Sequence, residues 1–244
     1  MGLPSQPLKA IFPLVVASLK PGLVGPFLGT GFFIRPDGTF LTAKHVLEGV
    51  TPPSGEDLAV VMLPGGPTLY RVSDVRLADQ FDIALGRAEG VEDIQPLEIA
   101  TEDAPMNRDV LTVEFSGTES RVLEDGRPAM HFTPYYRKGY VICSYPSTYP
   151  EALPTLCLDL SFPALRGASG APVVVEADGR VVGMVVANVE RHLLPAQVER
   201  VERGAHQREE VTYFLPVGKA IAWQHLREFV QATLGEEPGP PTTE

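Results

Sequence analysis

The sequence is short of cysteine, with two in 244 residues, and Cys143 and Cys157 match no metal-ligand spacing. One bridge at most is too little for a secreted disulfide framework, so both are read as buried thiols. Positive charge is scarce as well. Twenty Lys and Arg stand against 31 Asp and Glu, a net charge of −11. Nucleic acid and anionic membrane are therefore excluded as partners, since Lys and Arg must neutralise phosphate there. No apolar stretch approaches the ~18 residues of a membrane helix. The first apolar run, residues 10–19, is interrupted by Pro13 and followed by no small-residue cleavage site, which favours a first β-strand over a secretory signal. Gln6 occupies the position where a myristoylation signal carries Ser or Thr. These absences together predict a cytoplasmic protein.

Turn formers, in contrast, are abundant: 24 Pro and 23 Gly punctuate short apolar, β-branched runs throughout. That pattern predicts an all-β fold of many strands. The first half offers strands at 11–18, 28–34, 40–43, 58–63, 70–77 and 83–87, with Pro36-Asp37-Gly38 as a tight hairpin turn. The second half offers strands at 110–115, 139–145, 156–160, 171–176 and 180–187. Asp178-Gly179 is a second turn signal, pairing Val173–Val175 with the run at 181–186, where consecutive apolar residues imply burial on both faces. A helix is predicted over 218–235, because Trp223, Leu226, Phe229, Val230 and Leu234 fall near one face and Gly235 stops it. The acidic, Pro-rich tail 236–244 is expected to be disordered.

Three segments can carry chemistry. Arg166-Gly167-Ala168-Ser169-Gly170-Ala171-Pro172 places a serine in a Gly-rich step just before a Val-rich strand. A sharp turn there can expose the hydroxyl and leave backbone N–H groups free to form an oxyanion hole. An ordinary turn would use the same residues. His45 closes the Leu41-Thr42-Ala43-Lys44-His45 step at the end of a hairpin strand, a rigid seat for a base. Asp82, in Phe81-Asp82-Ile83-Ala84-Leu85, is a lone acid among apolar neighbours, where an ionised carboxylate must be hydrogen-bonded or paired. Alone, His45 reads as a structural histidine and Asp82 as a solvated cap.

Together, and in this order, the segments resemble the motifs of the trypsin-like, chymotrypsin-fold serine peptidases. Gly29-Thr30-Gly31 through His45 is similar to the family's histidine motif, Phe81 to Leu85 to its aspartate motif, and Gly167 to Pro172 to its serine motif. The resemblance covers about residues 10–230 and is closest in style to compact bacterial domains of this type. It implies two six-stranded antiparallel β-barrels packed side by side with a C-terminal α-helix. Residues 1–97 would form the first barrel, carrying His45 and Asp82. Residues 98–108 would connect it to a second barrel, 109–217, carrying Ser169, before the helix at 218–235. The implied mechanism makes Ser169 the nucleophile, His45 the general base and Asp82 its orienting acid, with the N–H groups of Gly167 and Ser169 as the oxyanion hole. No metal or organic cofactor is required.

The chain departs from the family pattern at three points. Ala171 replaces a frequent glycine two residues after the nucleophile. No Ile-Val-Gly-Gly type of activation terminus is present, so control by a newly cut N-terminus is not expected. Pro163 stands where trypsin-like specificity places an acid, so cleavage after Lys or Arg is not supported. By the same resemblance, Val186, Ala187 and Asn188 form the edge that pairs with an extended substrate and, with Pro163, wall its first pocket, favouring a small or apolar uncharged residue. The charged stretch 189–210, with a helix expected at 195–203, is either a solvated excursion or a lid or exosite for a regulatory protein partner. His192 and His206 lie in it without a third ligand for a metal, and His131 and His225 read as structural. Two rivals remain. An α/β-hydrolase would use Ser169 with Asp178 and a later histidine, but Ala171 breaks the GxSxG elbow and no alternation of parallel strands with long helices is seen. A catalytically latent barrel would serve as a binding or scaffold module.

Overall fold

The computed structural model describes residues 6–18, 23–103, 106–122, 128–148, 154–193, 196–202, 205–211 and 213–235. The expected disordered tail, 236–244, lies outside the described residues. Six strands form the first closed barrel: β1 (Ile11–Ser18), β2 (Leu23–Phe33), β3 (Thr39–Thr42), β4 (Asp57–Met62), β5 (Thr68–Leu77) and β6 (Ala84–Ala88). Their order around the barrel is β1-β2-β3-β6-β5-β4, and every pairing is antiparallel. Its centre is aromatic. Phe12 meets Phe33 at 4.4 Å and Phe40 edge-on at 5.3 Å between ring centroids, and all three are buried. Two strand glycines make room for these rings: a Cβ at Gly31 would stand 2.8 Å from Phe12, and one at Gly86 2.6 Å from Phe40. The β2–β3 turn forms at Pro36-Asp37-Gly38, with Gly38 at φ 87° and Thr39 N donating to Asp37 Oδ1 at 3.0 Å.

The second closed barrel uses β7 (Asp109–Glu114), β10 (Tyr135–Ser147), β11 (Thr155–Leu160), β12 (Pro172–Val175), β13 (Val181–His192) and β16 (Phe214–Ala222), ordered β10-β11-β16-β13-β12-β7. Two hairpins stand outside it: β8 (Glu119–Val122) with β9 (Pro128–His131), and β14 (Ala196–Glu202) with β15 (Ala205–Val211). One continuous buried cluster runs from Phe12 and Phe40 through Phe115 and Met184 to Leu226 and Val230, so the two barrels share a core. The connection between them is pinned rather than loose. Ile99 bridges to Val181, Ala100 N donates to Val181 O at 2.9 Å, and Leu97 N donates to Phe33 O at 2.8 Å.

Three expectations need correction. The C-terminal helix, α2, is Trp223–Leu234, whereas residues 218–222 belong to β16, where Gly218 pairs with Leu160 and Ile221 with Cys157. Val217 to Ala222 are all buried, and a fully buried strand lacks the alternation that distinguishes it from a helix by pattern. Gly235 does end the helix, at φ 70°. The expected helix at 195–203 is instead the β14–β15 hairpin, in register from Ala196↔Val211 to Glu202↔Ala205. Cys157 is buried as expected, but Cys143 is half-buried. No described helix is long and apolar enough to cross a membrane.

Candidate active site

His45 sits in α1 (Lys44–Leu47), a single helical turn that follows β3, with Val46 and Leu47 buried beneath it. Asp82 lies in the short loop before β6, closed by Ala78 N donating to Ile83 O at 2.9 Å. The carboxylate serves one residue twice. Oδ1 accepts from the His45 backbone N–H at 2.9 Å, and Oδ2 stands 2.6 Å from His45 Nδ1. Asp82 is 11% exposed and the imidazole 46%, so the acid is shielded while the ring reaches solvent. The hydrogen bond to Asp82 raises the His45 pKa above its ordinary value, burial opposes it, and the charges of Asp82 and Glu48 add to the rise. With Nδ1 against the carboxylate, the neutral ring keeps its proton there and presents a bare Nε2.

Ser169 lies in the turn between β11 and β12, shaped by two glycines with positive φ, Gly167 at 97° and Gly170 at 86°. Neither tolerates a side chain. A Cβ on Gly170 would stand 2.1 Å from Thr30 O, and one on Gly167 2.5 Å from the Phe27 ring. The turn's donors divide in a telling way. Ala168 N donates to Leu165 O, Gly170 N to Val185 O and Ala171 N to Ala168 O. The N–H groups of Gly167 and Ser169 donate to no protein acceptor among the described residues. Two such donors, one residue apart, suit an incoming anion.

Thr30, on β2 of the first barrel, holds this turn and was not singled out from sequence. Its N–H donates to Ser169 O at 2.9 Å and its Oγ1 to Gly167 O at 2.8 Å, while Thr42 Oγ1 donates to Thr30 O at 2.7 Å. Phe115 N donates to the same Oγ1 at 3.3 Å, so this fully buried hydroxyl is satisfied. A threonine between two glycines in an apolar strand was the available signal. Gly29 beside it is wedged between the two halves of the site: a Cβ there would stand 2.8 Å from Val46 and 3.0 Å from Ser169 O. The His45 turn and the Ser169 turn thus meet across one strand. No hydrogen bond joins Ser169 to His45 among the described residues, a separation common before substrate tightens a site.

Of the four residues expected to bind substrate, Pro163 and Asn188 do come together. Asn188 Oδ1 accepts from Ala164 N at 2.7 Å, and its Nδ2 donates to Ala164 O. The amide is therefore spent on the Pro163–Ala164 backbone. Val186 is buried in the shared core, leaving only its backbone for a ligand, and Ala187 is half-buried. β13 pairs with β16 as far as His192↔Phe214, whereas its ladder with β12 ends at Pro172↔Met184. From Ala187 to His192 the other edge of β13 has no partner strand among the described residues. Arg191 ties this ribbon down, pairing with buried Asp159 and lying 5.6 Å over the Tyr145 ring.

The α/β-hydrolase alternative has neither the sheet nor the residues. Asp178 accepts from Arg180 N at 3.0 Å and pairs with its guanidinium at 2.7 Å in the β12–β13 turn. His225 Nε2 accepts from Leu156 N at 2.8 Å and its ring packs on Phe81, a structural histidine as expected. His192 lies against the Phe214 ring, His131 stands opposite Glu119 in the β8–β9 hairpin, and the His206 side chain lies outside the described residues.

Two closed antiparallel barrels, with the candidate residues at their junction, define a serine-protease fold of the chymotrypsin type. The chain belongs to the trypsin-like peptidase domain family, whose pattern it matches over residues 29–184. Solved structures agree on the fold. The Rv3671c protease from M. tuberculosis in its inactive form is 17% identical with a TM-score of 0.58, covering 94% of this chain and 90% of that one. Its active form gives 16% and 0.58, covering 97% and 84%. The MamO protease domain from Magnetospirillum magneticum, in apo form, gives 16% and 0.58, covering 91% and 96%. No curated protein matches the chain.

Proposed function

We propose that the protein is a serine endopeptidase acting through an acyl-enzyme, with Ser169, His45 and Asp82 as its triad. The observation that carries this reading is the twofold grip of Asp82 on His45, facing a turn whose Gly167 and Ser169 N–H groups are unspent. Ser169 Oγ attacks the peptide carbonyl as His45 Nε2 takes its proton, and the two N–H groups receive the developing oxyanion. The C–N bond then breaks, with the proton passing from His45 to the leaving amine. Water, deprotonated by the same ring, releases the acyl group and restores Ser169.

The open edge of β13 supports binding of an extended protein or peptide by strand addition. With Pro163 in place of an acid, the reading includes an uncharged, small or apolar residue before the scissile bond. The β14–β15 hairpin follows directly on that edge and is proposed as the contact for a regulatory partner. A second reading, a latent domain serving as a scaffold, is compatible with the absence of a Ser169–His45 hydrogen bond among the described residues. Covalent labelling by a fluorophosphonate, with and without cell extract, separates the two. Labelling at Ser169 that is lost in His45→Ala supports the peptidase, and extract-dependent labelling supports gating. A Ser169→Ala variant that still cleaves substrate would overturn the assignment, since the expected loss is about 10⁶ in turnover.

A further inference from the structure

A cleft of about 600 Å³ opens beside the Ser169 turn, and its described lining includes no residue of β13. Its walls include Pro26 and Phe27 of β2, Thr118 and Ser120 at the start of the β8–β9 hairpin, Met130 of β9, and Arg166. The cleft abuts Gly167 directly. The Phe27 ring and the Ser116 Cα, both part of its wall, lie 2.5 and 3.4 Å from where a Gly167 Cβ would be. β13 reaches the same turn through other residues, Gly170 N donating to Val185 O and Ala164 N to Asn188 Oδ1. A peptide paired with the open β13 edge and held by its scissile carbonyl at Gly167 and Ser169 would have this cleft beside its remaining half.

Among the described residues that line the wall, Arg166 is the only charged one. It forms no ion pair or hydrogen bond among the described residues, whereas Arg71, Arg121, Arg137, Arg180 and Arg191 each hold a carboxylate. In a chain of net charge −11, a guanidinium left without a carboxylate beside the nucleophile turn is conspicuous. The exposed Ser120 hydroxyl also has no partner among the described residues and can donate to an anion. The volume suits one or two side chains with an apolar wall and a few polar groups.

We infer that this cleft is the subsite for the leaving-group half of the substrate and that Arg166 selects a carboxylate-bearing side chain there. The inference rests on the endopeptidase reading for its direction, and it deepens that reading by naming a substrate class. The acid belongs near Gly167, because Glu56 Oε2 lies 3.6 Å from a Gly25 Cβ position at another part of the rim and opposes a second acid there. The overall negative charge repels acidic runs as well. Screening confines that repulsion to roughly 8 Å, so a single pair at Arg166 wins locally. The class is thus an isolated Asp or Glu one to three residues after the scissile bond, rather than an acidic tract.

The test compares fluorescence-quenched peptides carrying Asp, Asn or Lys at each of the three leaving-group positions, assayed for Ser169-dependent cleavage. Binding of the same peptides to Ser169→Ala is read by fluorescence anisotropy. Asp should be favoured over Asn about fivefold or more in both measurements, as a charge-assisted hydrogen bond would give. Arg166→Gln should erase the difference and Arg166→Glu turn it toward Lys. Each peptide is made with a free and an amidated C-terminus: a preference that follows the free terminus rather than the Asp would assign the site to a terminal carboxylate and overturn the side-chain claim. Equal use of Asp and Asn, or an Asp preference that survives in Arg166→Gln, also overturns it. Cleavage without that preference would sink the inference alone. Arg166-dependent binding without Ser169-dependent cleavage would uphold the cleft and sink the endopeptidase reading.

Discussion

Thr30 of the first barrel donates through Oγ1 to the carbonyl of Gly167 in the second, and through its backbone to that of Ser169. One residue thus holds the carbonyls of both residues whose N–H groups are free, and so anchors the peptide planes that follow Gly167 and Ser169.

Replacing Thr30 with Val keeps the shape and removes the hydroxyl. Gly167 O and Phe115 N then lose a partner in a fully buried setting, which costs about 1–3 kcal/mol. The fluorophosphonate labelling rate of Ser169 should fall further than the melting temperature explains, because the turn loosens. Thr30→Ser restores the donor and should recover the rate. Equal labelling by the Val and Ser variants would show that Thr30 does not position the turn.

The two glycines with positive φ that flank the site's surroundings make a graded comparison. Gly170→Ala forces a Cβ to 2.1 Å from Thr30 O at φ 86°, so backbone must move, and a loss of about 3–5 kcal/mol is expected by thermal or chemical unfolding. Gly49→Ala, at φ 71° with nothing within 4 Å, should cost only the left-handed conformation, about 1–2 kcal/mol. Similar melting temperatures for the two would contradict the close approach of β2 to the turn.

Much of this was legible in the chain. β1 spans the predicted 11–18, and the Asp-Gly turns form where Gly38 and Gly179 were expected to supply positive φ. What was missed has physical causes. The stretch at 196–211 is rich in Glu, Gln and Arg, good helix formers, yet 196–202 pairs antiparallel with 205–211: pairing overrides a weak intrinsic preference. Thr30 and Asn188 were obscure for another reason. Each spends its side chain on backbone far away in sequence, Thr30 across 137 residues to Gly167 and Asn188 across 24 to Ala164, and no local pattern encodes that.

The Asn188 side chain is accordingly a brace for the wall beside Pro163, while its backbone stays on the open edge of β13. Asn188→Ala should unpair both Ala164 backbone groups and cost about 1–2 kcal/mol. Because the brace shapes the pocket rather than the reacting atoms, KM for a short peptide should rise while kcat changes little. A loss confined to kcat would place Asn188 nearer the chemistry than its hydrogen bonds do.

The pH dependence follows from Asp82. In the proposed triad the base works only when neutral, so activity should rise with pH through the His45 pKa, and the hydrogen bond to Asp82 holds that pKa above the ordinary 6.5. The acid limb of kcat/KM should therefore lie above 6.5 in the native protein. In Asp82→Asn the carboxylate's hydrogen bond and charge are gone, leaving burial, which lowers the pKa, opposed only by the smaller effect of Glu48, so the limb should move to lower pH. The maximum should fall about 10⁴-fold, because the neutral amide no longer fixes the tautomer. Folding stability carries the same sign: a raised pKa contributes fully below the unfolded value and is lost as pH rises through the folded one. The stability gap between native protein and Asp82→Asn should accordingly be widest on the acid side of 6.5, as long as Asp82 stays ionised, and narrow toward alkaline pH. An acid limb that stays in place in Asp82→Asn would mean that another group titrates there, and that His45 is not the base.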